Sequence, residues 1–158
     1  MSITIRRAVV DDAEELAALH LQVWDEAYTG LIDQALLDER RARPVEDRVA
    51  VWRNRLSGFP TWVPADESGR LLGFVQSGPG RDEDRPGLEL MALYVVAEVY
   101  GTGLGHRLLT EAIGDEPAYL WVLDGNARAI RFYERHGFAF DGTTRTDPYG
   151  TERRMSRA

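Results

Sequence analysis

Cysteine is absent from this chain of 158 residues. That excludes disulfides, thiolate metal sites and a thiol nucleophile. Long apolar runs are absent too; a membrane-spanning helix needs about 20 such residues. The opening MSITIRRAVVDDAEEL lacks the apolar core of a secretory signal. Positive charge is scarce: 19 Lys and Arg stand against 26 Asp and Glu, a net charge of −7. Broad nucleic-acid binding, which leaves a basic footprint, is disfavoured, while a cationic small substrate is compatible. The only histidines, His20, His106 and His136, show no metal-ligand spacing, so no metal site is expected. Repeats and low-complexity tracts are also missing. The expectation is one cytoplasmic domain over residues 1–158, without a membrane or nucleic-acid partner.

What is present is an ordinary globular composition, 44% apolar and 28% charged. Ile3 to Arg6 reads as a short strand. Asp11 or Asp12 caps a helical stretch through His20, with Leu16, Leu19 and Val23 recurring at helical spacing. Tyr28-Thr29-Gly30 breaks it. Helices are expected over 34–40 and, behind Pro44, over 45–56. Phe59 to Val63 starts an extended region. Strands are expected over 71–76, 88–96 and 119–123. A helix over 127–136 is closed by Gly137. A last pair, 138–140 and 152–155, turns through Asp147-Pro148-Tyr149-Gly150. This alternation defines an α/β or α+β fold.

Residues 100–109, YGTGLGHRLL, place Gly101, Gly103 and Gly105 between a buried strand and a helix. Such a loop is either a tight turn or a cradle whose N–H groups meet a phosphate at a helix N-terminus. It is not a Walker loop, because Gly105 is followed by His106-Arg107. Its spacing is also wrong for a dinucleotide fold.

The segment Leu93 to Gly105 resembles the acetyl-CoA motif of the GNAT superfamily of N-acyltransferases. LWVLDGNARAIRFYERHGF, Leu120 to Phe138, resembles that superfamily's second coenzyme-contacting region, with Asn126 seven residues before Tyr133. ITIRRAVVDDAEEL resembles its first strand and helix. Two residues depart from the pattern: Tyr100 stands where Arg or Gln is usual, and Ala97 replaces a frequent Pro. The resemblance implies a mixed, mostly antiparallel twisted sheet flanked by helices, with a V-shaped cofactor cleft. It also implies transfer of an acetyl group from acetyl-CoA to a primary amine, a small molecule or a peptide, by direct attack in a ternary complex. The alternative is a non-catalytic acyl-CoA-binding module. A homodimer is compatible with either.

Site residues follow from the same resemblance. Main-chain groups of Leu93, Tyr94 and Val95 would pair with the pantetheine, and a strand bulge near them would polarise the thioester. Gly101, Thr102, Gly103, Leu104, Gly105 and His106 would line the pyrophosphate. Tyr133 is the candidate general acid, against a reading as a core aromatic. Asn126 contacts the cofactor or acceptor, or caps a helix, or both. Glu89 is the candidate base, on a strand whose alternation groups it with Met91, Leu93 and Val95; otherwise it is a solvated strand end. Trp24 and Tyr28 are candidate acceptor-binding residues, offering an aromatic wall to an amine.

Overall fold

The computed structural model describes residues 2–158. Its strands are β1 (Thr4–Arg7), β2 (Thr61–Ala65), β3 (Gly73–Pro79), β4 (Leu88–Val95), β5 (Ala118–Leu123), β6 (Ala139–Asp147) and β7 (Gly150–Arg157). They form one sheet in the order β1-β2-β3-β4-β5-β7-β6. Every neighbouring pair is antiparallel except β4 and β5, which are parallel. The helices are α1 (Ala13–Tyr28), α2 (Gln34–Arg41), α3 (Val45–Gly58), α4 (Leu104–Ile113) and α5 (Ala127–Arg135). None among the described residues is long and apolar enough to cross a membrane.

Local chemistry starts each helix. The Asp12 carboxylate accepts from the Val9 N–H at 2.8 Å and pairs with Arg6 at 2.9 Å, fixing the turn into α1. Leu16, Leu19 and Val23 are buried on one stripe, as their spacing predicts. The helix continues to Tyr28, past the polar His20. Asp33 caps α2 by accepting the Ala35 N–H at 3.0 Å. Pro44 precedes α3, which turns Val49 and Trp52 inward.

The sheet carries two layers of helix. Phe74 packs edge-on against His20 of α1 and Trp52 of α3. On the opposite face the Ser77 hydroxyl donates to the Ala112 carbonyl of α4, and Phe132 of α5 packs beside Gly105 of α4. Leu16, Leu72, Phe74, Leu108 and Met155 are wholly buried, each contributing about 1.5–3 kcal/mol.

The register of β4 departs from simple alternation. Gln76 pairs with Ala92, but Ser77 pairs with Leu90, so Met91 is an extra residue that reverses the faces. Paired residues share a face, and Glu89 therefore sides with Ala92 and Tyr94. It does not side with Leu93 and Val95 as expected. The bulge also lies at Met91 rather than near Leu93 to Val95.

Candidate active site

Strands β4 and β5 touch only at their start, where Leu88 meets Ala118 and Glu89 meets Tyr119. Beyond that they part, while β5 stays paired on its other edge with β7 along its whole length. The resulting cleft is walled by Leu90 to Val95 on one side and by Leu120 to Val122 on the other, with Asn126, Phe132 and Tyr133 of the α5 region beneath. Its β4 side presents a strand edge in the interior of a sheet.

At its outer end the cleft runs into the glycine loop; Val95, Tyr100, Gly105, Arg128 and Phe132 line both. Gly101 (φ +76°) and Gly103 (φ +87°) take left-handed conformations that side chains disfavour. Gly105 has another reason: a Cβ there would stand 3.2 Å from the Phe132 ring. Thr102 is used within the loop, its hydroxyl donating to the Val99 carbonyl at 2.6 Å. The N–H groups of Gly101, Gly103, Leu104, Gly105 and His106 donate to nothing among the described residues. Four of them begin or precede α4, whose dipole adds positive potential there. Where Arg or Gln is usual, the Tyr100 ring instead carries the Arg128 guanidinium 3.7 Å above it. His136 donates from Nδ1 to the Phe132 carbonyl at 2.8 Å, and its Nε2 lies 2.8 Å from Nδ1 of His106. The Phe132 carbonyl only accepts, so a neutral His136 receives the His106 proton. The two histidines form one chain beside the loop.

Tyr133 is buried against Phe132 and Phe138, yet its hydroxyl has no hydrogen-bond partner among the described residues. Desolvation pushes the phenol well above its ordinary value, with Tyr94 adding to the shift. The proton stays on oxygen at neutral pH. Asn126 caps α5, its side-chain oxygen accepting from the Ala129 N–H at 3.4 Å. Its amide nitrogen is left over on the cleft side, so both expected roles are open to it. Tyr28 and Tyr94 meet hydroxyl to hydroxyl at 2.7 Å across the cleft wall.

Two expected residues stand elsewhere. Glu89 is 1% exposed and is neither a solvated strand end nor a free base. Its carboxylate receives Nε and Nη2 of Arg81 at 3.0 and 2.7 Å, the Arg81 N–H at 3.1 Å and the Tyr119 hydroxyl at 3.3 Å. Desolvation acts to raise its pKa, but the Arg81 and Tyr119 bonds outweigh it and hold the carboxyl below its usual range. Glu89 braces the point where β4 and β5 part. Trp24 lies behind Tyr28, ring centroids 4.9 Å apart, and its face already carries the Arg40 guanidinium at 4.1 Å. Its ring lines a recess behind Tyr28 and not the cleft itself. Sequence reasoning missed Phe132, the cleft's neighbour to Tyr133; the Phe132-Tyr133 pair was its only signal.

A sheet parted at one parallel pair, with a helix N-terminus at the mouth of the gap, is the architecture of the GNAT acyltransferases. The acetyltransferase (GNAT) family matches residues 14–138. The probable N-acetyltransferase Rv2775 of Mycobacterium tuberculosis is 34% identical over 151 residues, covering 92% of this chain and 84% of that protein. The peptidyl-lysine N-acetyltransferase YjaB of Escherichia coli is 28% identical, covering 95% and 91%. The PaiA N-acetyltransferase of Thermoplasma acidophilum, solved with coenzyme A, superimposes with a TM-score of 0.74 at 21% identity and 99% coverage of both chains. The chain belongs to the GNAT acetyltransferase family.

Proposed function

We propose that residues 1–158 form one domain that transfers the acetyl group of acetyl-CoA to a primary amine by direct attack in a ternary complex. The observation that carries this reading is the continuity of three features in one cleft: an unpaired β4 edge, the unengaged amides of the glycine loop, and the bare hydroxyl of Tyr133. The amides of Gly101, Gly103, Leu104, Gly105 and His106 match the oxygens of a diphosphate. Arg128, stacked on Tyr100, supplies the cation that the loop itself lacks. Main-chain groups of Leu93, Tyr94 and Val95 match the amides of pantetheine, which would add to β4 as a strand does.

Bound acetyl-CoA supplies a thioester carbonyl open to attack. The acceptor would enter as the neutral amine; its nitrogen would bond to that carbon as the C–S bond breaks, the sulfur would take the Tyr133 proton, and the proton shed by the nitrogen would return to the Tyr133 oxygen. Without cysteine there is no thiol to hold the acyl group between two half-reactions, which supports direct transfer. The peptidyl-lysine activity named for YjaB keeps peptide amines among the acceptors to be tested.

Calorimetry and turnover test the reading together. Coenzyme A is expected to bind saturably and NADH not at all. Tyr133→Phe is expected to lower kcat about 10²- to 10⁴-fold with coenzyme affinity unchanged. Full turnover in that variant removes Tyr133 from the chemistry. Coenzyme binding without transfer to any amine returns the protein to the class of non-catalytic acyl-CoA-binding modules.

A further inference from the structure

Behind Tyr28 and Tyr94 lies a second recess, between α1, α2, α3 and the β6–β7 turn. Trp24, His20, Trp52, Arg40, Arg43, Arg48, Asp47 and Tyr149 are in its wall. It abuts the acyl-transfer cleft through two aromatic contacts, Trp24 on Tyr28 and His20 on Tyr94. Three arginines face one carboxylate, in a protein whose net charge is −7. His20 adds no charge, because burial and then Arg55 and Arg40 push its pKa down to about 2.

Several donors of this recess are unspent, although Arg48 Nη1 donates to the Arg41 and Arg43 carbonyls at 3.3 and 2.9 Å. Arg40 is only 9% exposed, yet its guanidinium makes no ion pair and no hydrogen bond among the described residues. It rests on the Trp24 ring, which satisfies none of its five N–H groups. The Arg43 guanidinium reaches only the Tyr149 hydroxyl, at 3.4 Å. The two buried side-chain donors without a partner among the described residues, Arg48 Nε and Trp52 Nε1, also belong to this wall. A buried cation is ordinarily paired, since desolvation costs several kcal/mol. Here several donors stand without acceptors, one aromatic layer behind the acyl-transfer cleft.

Building on the acyltransferase reading, we infer that this recess binds a carboxylate of the acceptor through Arg40, so that the amine substrate is a free amino acid or a close amino-carboxylate. A guanidinium fork matches a carboxylate with two parallel bonds. Trp24, Trp52 and Val51 supply apolar walls for the remainder of the molecule. Polyamines and aminoglycosides, which bring only positive charge, are excluded by the same three arginines.

The test uses L-methionine, L-phenylalanine and L-lysine, each against its own carboxamide. Binding is read from tryptophan fluorescence, since Trp24 and Trp52 stand in the wall, and transfer from coenzyme A release. Wild type is expected to favour the carboxylates about 10- to 100-fold in kcat/KM and to show carboxylate-selective quenching. Arg40→Met is expected to abolish both preferences while the coenzyme A Kd holds. It is also expected to melt no lower than wild type, because an unpaired buried cation has gone; a merely structural arginine would melt lower when lost. Arg40→Lys keeps the charge but not the fork and is expected to recover part of the preference.

Transfer to carboxamides as good as to carboxylates overturns the inference and leaves the acyltransferase reading intact. So does a preference that survives Arg40→Met. Carboxylate-selective quenching without acetylation of any compound overturns the acceptor assignment, and loss of coenzyme A binding as well marks failure of the acyltransferase reading itself. No quenching and no transfer by any of the three carboxylates also rejects it.

Discussion

Replacing Glu89 by Gln separates a brace from a base. The Glu89 side chain is 2% exposed and that of Arg81 is 55% exposed. Removing one partner of a fully buried pair costs about 3–5 kcal/mol. Here Arg81 can turn to water, and Gln keeps an oxygen for the Arg81 N–H and the Tyr119 hydroxyl. The expected loss is therefore about 1–3 kcal/mol. For a domain of this size that is a fall of roughly 2–12 °C in Tm. Because the carboxyl is held below its usual range, its contribution is complete above the ordinary value of about 4.3. It fades as pH falls through the lower native value. The gap between variant and wild type should be full at pH 7 and closed in acid. Urea midpoints at pH 7 and pH 3 measure it. With saturating acetyl-CoA, kcat should stay within about threefold of wild type, with parallel pH profiles. An unchanged Tm joined to a loss of about 100-fold in kcat would refute this reasoning and restore Glu89 as the base.

Three further outcomes follow from the cleft and its surroundings. Gly103→Val forces a β-branched residue to φ +87°, costing about 1–3 kcal/mol. Its Cβ meets open space, so calorimetry should show coenzyme affinity falling about tenfold or more as the amides turn; unchanged affinity would detach the loop from the diphosphate. Arg128→Gln should raise the coenzyme Kd about 3- to 30-fold and flatten its salt dependence, and an unaltered salt slope counts against a phosphate contact. Arg154 is 5% exposed and binds Asp82, Asp84 and Asp141 at 3.0, 2.9 and 2.6 Å. Arg154→Gln leaves these acids facing one another, and differential scanning calorimetry should register a fall of roughly 10 °C; a shift under 2 °C would show the cluster to be idle.

The elements were legible where local chemistry decides them. The break at Tyr28-Thr29-Gly30, the capped α2, the helix behind Pro44 and the strand from Leu88 all lie within a few residues of expectation. The last hairpin is much longer than 138–140 and 152–155 suggested, because its exposed polar residues, such as Thr146 and Thr151, pair through backbone rather than through an apolar pattern. The glycine loop was legible because its backbone geometry restricts residue type. The Met91 bulge was not, since it is set by what β3 offers across the ladder, and with it went the face assigned to Glu89. Nor could a sequence show that Arg81 returns eight residues to neutralise Glu89, that Arg40 covers Trp24, or that Arg128 crosses from α5 to Tyr100. Each is a meeting of side chains from separate elements.

The parting of β4 from β5 has a bearing on the life of the protein between turnovers. An unpaired ladder in mid-sheet is a template for any extended polypeptide, the hazard that folded proteins ordinarily confine to their rims and blunt there. On the reading proposed above it cannot be blunted, because the same bare groups would be wanted by the coenzyme. The metabolite would thus double as a chaperone for its own enzyme, and starvation for it would leave the protein adhesive as well as idle.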